Sequence, residues 1–153
     1  VGGRILVQDR LTPGSIDTVG IAADEAGDFL ILWQGTIGVG PQADGFYARR
    51  FAADGTPLTG RLRLEGGKVQ SPRLAMDHAG NFVVAWLQLE VGPNGQTGAF
   101  AQRFTAGGAP FRPAFRMDTG GSSEPLVASA AGGTFVVVGG MPRQIFARLY
   151  RKR

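Results

Sequence analysis

Asp77-His78-Ala79-Gly80-Asn81-Phe82-Val83-Val84-Ala85-Trp86 carries the pattern that decides the fold, a polar turn feeding a short and almost wholly apolar run. The same pattern stands 53 positions earlier as Asp24-Glu25-Ala26-Gly27-Asp28-Phe29-Leu30-Ile31-Leu32-Trp33. A worn copy, Ala130-Ala131-Gly132-Gly133-Thr134-Phe135-Val136-Val137-Val138-Gly139, follows 53 positions later. Other landmarks keep the interval: Pro72 and Pro125, Pro57 and Pro110, and Gly45 and Gly98. Several independent markers at one spacing make this an internal repeat, and a repeat of that length constrains the architecture before any single residue does.

Outward from the quoted stretch, each copy reads as four short strands. The apolar run does not alternate with polar residues, so it is expected to be buried on both faces of a sheet. Before it lie 18–23 in the first copy, 71–76 in the second and 124–128 in the third; after it, beyond a Gly/Pro-rich loop, come 45–51, 99–104 and 144–150. A further strand opens each copy, at 4–9, 61–64 and 114–117, set off by turn clusters such as Thr12-Pro13-Gly14-Ser15 and Asp54-Gly55-Thr56-Pro57. The third copy is shortened by about seven residues around Gly139-Gly140-Met141-Pro142-Arg143.

Four antiparallel strands per period is the spacing of a β-propeller blade. A β-sandwich gives no reason for a strict period, and the coils of a parallel β-helix are too short. The expected fold is therefore all-β: three four-stranded propeller-type blades in one repeat domain, with repeat blocks at about 4–51, 58–104 and 111–150. In this order the chain begins with an outermost strand and ends with a third strand, so the last blade lacks its outer strand. Propellers typically have four to eight blades. Three blades form an open arc with apolar end faces, and closure is expected from a second copy (a homodimer completing a six-bladed ring), from other chains or from further sequence.

The stretch from Pro72 to Trp86, followed by Ala99-Phe100-Ala101-Gln102-Arg103-Phe104-Thr105-Ala106-Gly107-Gly108-Ala109-Pro110, resembles a repeat of large secreted bacterial proteins. There a "DGxFVVxW" strand precedes a "YAQRYDAxG" strand and a closing "EFxVN" strand. The resemblance covers essentially the whole chain. It implies propeller-like repeats in an extracellular, cell-surface or periplasmic setting, and it brings no catalytic residues to carry over.

Composition narrows the function classes. Cysteine is absent, which removes disulfides, thiolate nucleophiles and Cys-ligated metal sites. With one histidine and no alternating Asp/Asn loop ending in Glu, no metal or redox cofactor is expected. Phosphate-loop spacing and a G-x-S-x-G elbow are also missing. No apolar run reaches the length of a membrane-spanning helix. The opening Val1-Gly2-Gly3-Arg4 has no Met and no signal-peptide pattern, as in a processed or trimmed chain. The 25 glycines follow no Gly-X-Y period and fit a fold made of tight turns.

Few side chains stand out. Trp33 and Trp86 end equivalent strands, where they serve either as core between blades or as ring platforms for a sugar face. The second use makes them, with Arg49 and Gln102, the candidate ligand-binding residues of a lectin. Asp24, Asp28, Asp44, Asp54 and Asp77 lie mostly in Gly-containing turns where Asp bonds its own backbone, and His78 reads as a solvated turn residue. The basic tail, with Arg148, Arg151, Lys152 and Arg153, is the candidate docking segment for an acidic partner; it contributes to a net charge of +4. Nucleic acid is disfavoured, because the aromatic residues beside Arg49 are needed for packing rather than base stacking. The expected role is a non-enzymatic module that binds protein partners or itself through blade edges and loops, with a glycan-binding lectin as the alternative. A chelator is expected to leave the melting temperature unchanged; a large drop on adding one would place a metal in the aspartate turns.

Overall fold

The computed structural model describes residues 3–7, 16–36, 44–91, 96–117, 124–141 and 144–151. They form three antiparallel sheets of the β-propeller type. The first contains β1 (Ile16–Ala23), β2 (Phe29–Thr36), β3 (Asp44–Phe51) and β4 (Leu62–Gly66), hydrogen-bonded in that order. The second repeats it with β5 (Val69–Met76), β6 (Phe82–Val91), β7 (Gln96–Phe104) and the two-residue β8 (Phe115–Arg116). The third has β9 (Leu126–Ala130), β10 (Thr134–Met141) and β11 (Gln144–Tyr150). It is three-stranded, as expected of a last blade that lacks its outer strand, and nothing pairs with the outer side of β11 among the described residues.

The first two sheets take their fourth strand from the start of the next sequence block. Thus β4, which opens the 58–104 block, hydrogen-bonds to β3 through Phe46↔Glu65 and Ala48↔Leu62. The expected first strand at 4–9 is a correction. Residues 4–7 carry no strand, and Gln8 and Asp9 lie outside the described residues. Instead the Val7 carbonyl accepts a hydrogen bond from Arg49 Nη1 at 3.1 Å, and the Ile5 side chain lies against Gly55. The segment packs on its own first blade. The aspartate turns behave as expected: Asp24 Oδ1 accepts from the Ala26 and Asp28 amides, both at 3.0 Å, and Asp77 Oδ1 from those of Ala79 and Asn81.

The blades stack face on face, with β1 beside β5 and β5 beside β9. Because side chains alternate along a strand, each sheet has a forward face toward the next blade and a rear face toward the preceding one. Leu30, Leu32, Phe46 and Ala48 on the forward face of blade 1 meet Phe82, Val84, Trp86 and Phe104 on the rear face of blade 2. Val83, Ala85 and Ala101 on the forward face of blade 2 meet Phe135 and Val137 of blade 3.

The repeat extends to ring pairs across the ladder. Phe29 stacks on Phe51 with centroids 5.3 Å apart, Phe82 on Phe104 at 5.0 Å, and Phe135 on Tyr150 at 4.9 Å. Such pairs contribute about 0.5–1.5 kcal/mol beyond area burial. Phe82 and Phe135 are buried, whereas Phe29 is only half-buried, since no blade among the described residues packs on its side. Phe82→Ala is expected to lower stability by about 3–5 kcal/mol in a urea melt, and a loss smaller than that of Phe29→Ala would contradict this ordering of the two positions.

Candidate functional site

The third strand of each blade carries the side chains that join one blade to the next. Arg50 on β3 is buried, and its guanidinium crosses the gap between blades 1 and 2. Nη2 pairs with Asp24 Oδ2 and lies 3.4 Å from Asp28 Oδ2, both in the turn of its own sheet. Nη1 donates to the carbonyls of Gly80 at 3.1 Å and Ala106 at 3.3 Å, both in turns of blade 2. Gly80 has φ of +79°, and a Cβ there would fall 2.3 Å from Arg50 Nη1. Glycine is required twice over, by the backbone and by the guanidinium.

The repeat places Arg103 where Arg50 stands. Arg103 Nη2 donates to the Gly133 carbonyl at 3.3 Å, and its Cζ sits 4.8 Å from the centroid of Phe135 and 5.1 Å from that of Phe111. With the shortened third copy, the matching residue of blade 3 is Leu149, 56% exposed. The turn acid changes in step, from Asp24 to Asp77 to Ala130.

The residues singled out from sequence do not gather into one site. Trp33 and Trp86 are each 2% exposed, so neither indole offers a ring face to a sugar, and the platform reading is corrected to core. Trp86 stacks on Phe100 and meets Phe46 edge-on, and Trp33 stacks on Tyr47. The Trp33 Nε1 donor is buried without a partner. Arg49 donates from Nε to the Thr59 carbonyl at 3.2 Å and lies over Phe51. Gln102 is buried, with Nε2 donating to the Arg112 carbonyl at 2.9 Å. Both are structural pins in separate blades. His78 is exposed as expected, and its Nδ1 accepts from the Gly132 amide at 3.4 Å. Arg148 and Arg151 are exposed at the end of blade 3; Lys152 and Arg153 lie outside the described residues.

Sequence reading gave the last blade an apolar end face and no outer strand; what it missed is the loss of arginine from that face and the cleft behind it. Among the described residues no blade covers the forward face of blade 3, where Leu126, Ile145 and Leu149 are 58%, 83% and 56% exposed. By alternation from the half-buried Val127 and the buried Phe135 and Val137, that face also holds Ala128, Val136, Val138 and Ala147. Among the described residues it carries no charged side chain. On the opposite side, between blades 2 and 3, a cleft of about 550 Å³ is lined by Arg103, Arg112, Arg151 and the rings of Phe111, Phe115 and Tyr150. The Tyr150 hydroxyl is buried with no hydrogen-bond partner. Aligning Arg50, Arg103 and Leu149 across the shortened third copy was the signal that could have exposed both features. Among the described residues, no group of three or more His, Cys, Asp or Glu side chains could hold a metal ion.

No family model and no curated protein matches the chain. Among solved structures it is similar to the Penicillium chrysogenum alpha-L-arabinanase complexed with arabinobiose, at a TM-score of 0.63 and 10% identity over 88% of this chain. That enzyme is a β-propeller, and the likeness supports the fold alone. The chain spans 42% of the enzyme's length.

Removing Arg50 leaves the Asp24 carboxylate, 4% exposed, with an uncompensated buried charge. Arg50→Leu is therefore expected to destabilise by about 3–5 kcal/mol. The double variant Asp24→Ala/Arg50→Leu copies blade 3 and should lose less than the single variant. Urea melts of the pair decide this; equal losses would mean that the turn acid does not depend on the guanidinium.

Proposed function

We propose that the chain is a non-enzymatic interaction module that binds protein through the open third blade. The observation that carries this is the forward face of blade 3, an apolar sheet surface left in water. Large exposed apolar surface on a folded protein marks an interaction site. The two inter-blade interfaces of the same chain indicate what suits such a face, namely another apolar sheet packed about 10 Å away.

The partner proposed is a second copy, docked blade 3 to blade 3. Closure into a six-bladed ring would instead need the rear face of blade 1. There Trp33, Tyr47 and Phe51 are 2%, 3% and 0% exposed and Ile21 is open at 67%, so among the described residues that face has less left to bury than the forward face of blade 3, where three large side chains are open. The like-to-like contact brings no charges together, since arginine at the position of Leu149 would face its own copy across the two-fold axis. An extracytoplasmic setting is part of the proposal and rests on the resemblance to repeats of secreted bacterial proteins.

Light scattering at micromolar concentration is expected to show a dimer. Leu126→Asp/Ala128→Asp, two exposed changes on the proposed contact, should give a monomer whose melting no longer depends on protein concentration. A parent that is monomeric throughout, or a variant that still dimerises, would refute the contact.

A further inference from the structure

From the open edge of blade 3 we infer a second docking element: strand β11 accepts an extended acidic segment of a partner polypeptide as its missing fourth strand. The inference rests on reading blade 3 as the docking element, but it uses the edge of the sheet rather than its face. In blade 1 the equivalent strand β3 is covered by β4 through Gly45↔Gly66, Phe46↔Glu65, Tyr47↔Arg63 and Ala48↔Leu62. In blade 2, β7 is covered by β8 through Phe100↔Arg116 and Ala101↔Phe115. Residues 144–147 of β11 occupy the same place in the repeat, and among the described residues no strand lies against their outer edge. An unpaired row of backbone donors and acceptors is a template for strand addition.

The chemistry of the occupant follows from two further observations. The first is β4, the chain's own occupant of this position, where Leu62 and Leu64 alternate with Arg63 and Glu65. Leu64 packs into the core between blades 1 and 2, while Arg63 stands opposite Tyr47 on the other side. A strand added to β11 in the same register would place an apolar residue beside Ala147, as Leu62 lies beside Ala48, and a charged one beside Phe146, as Arg63 lies beside Tyr47; beyond the bulge, Glu65 marks the place opposite Ile145. The charged residue beside Phe146 would fall on the side of Arg148. The second observation is the sign of charge in the sequence around this strand. From 125 to the end, the sequence holds five basic residues (Arg143, Arg148, Arg151, Lys152 and Arg153) and no Asp or Glu. Arg148 and Arg151 are exposed, and Arg103 and Arg112 extend the same basic surface into the cleft beside Tyr150. Strand geometry selects alternation, and the local field selects carboxylates. The chain's own residues 4–9, Arg-Ile-Leu-Val-Gln-Asp, answer the first requirement better than the second.

The test uses the whole chain and synthetic peptides about 8 residues long, one strand length, with valine alternating with glutamate or with lysine. The glutamate peptide should bind, more weakly as salt rises, and should slow amide exchange along residues 145–149. The lysine peptide should not bind, and N-methylation of every second residue on either register should abolish binding of the glutamate peptide. Arg148→Glu/Arg151→Glu should weaken it roughly tenfold, as expected when exposed charge pairs are reversed. If that variant melts below the parent, the salt series on the parent carries the charge test. Leu126→Asp/Ala128→Asp should bind the peptide as the parent does, so failure of the face contact is read separately from failure at the edge. Equal binding of the glutamate and lysine peptides would overturn the acidic assignment, as would tighter binding by a peptide of residues 4–9. Indifference to N-methylation would overturn strand addition.

Discussion

The Arg50 guanidinium is the constraint on which the stacking of blades 1 and 2 depends. Apolar faces bring the sheets together but, being non-directional, do not fix how one sheet sits on the other. Arg50 supplies direction: it holds the Asp24 turn of its own sheet and reaches two carbonyls of the next. A buried guanidinium is tolerated only when most of its donors are occupied, so the turns at 24–28, 78–81 and 105–108 must stand at set positions around it. The glycine at 80 is the backbone's side of that requirement. Arg103 repeats the arrangement with one carbonyl and two ring faces, giving a looser joint between blades 2 and 3.

Much of this was legible in the sequence because a period reports itself many times. Phe29, Phe82 and Phe135 fell into register from spacing alone, and the aspartate turns followed from the chemistry of Asp before Gly. The burial of Trp33 and Trp86 was only half legible, since a tryptophan at a strand end looks the same whether the next layer covers it or a ligand does. The coverage comes from neighbours distant in sequence, such as Phe46 for Trp86. The segment 4–7 misled for a related reason. Ile5, Leu6 and Val7 have strand-forming side chains, but a strand exists only where an edge pairs with it, and here the Arg49 side chain takes the Val7 carbonyl instead.

Blade 3 shows what happens when the repeat is released from its joint. Asp24 and Arg50 have become Ala130 and Leu149 together, and a paired loss is what electrostatics favours: arginine without its acid, or acid without its arginine, would leave one charge stranded at the sheet face. The tryptophan position has become Gly139, where Met117 Cε lies 3.8 Å from the site a Cβ would take and fills room that an indole fills in blade 2. The rear face of blade 3 is thus repacked to suit blade 2, while its forward face has lost the means of clasping a further blade of the same kind.

Charge and apolar surface are segregated on this blade by the geometry of a strand. Side chains of β11 alternate between two sides, so Ile145, Ala147 and Leu149 join the uncharged forward face while Arg148 stands with the ring of Tyr150 on the other. The edge backbone lies between them and belongs to neither. A partner sheet can therefore cover the face without neutralising an arginine, and an added strand can use the edge while placing its acidic side chains toward the cleft. In blades 1 and 2 the same two surfaces are filled by the chain itself, through the next blade and the fourth strand. The interaction surfaces of blade 3 are the internal contacts of the repeat left open, with arginine removed from the face and basic charge gathered beside the edge.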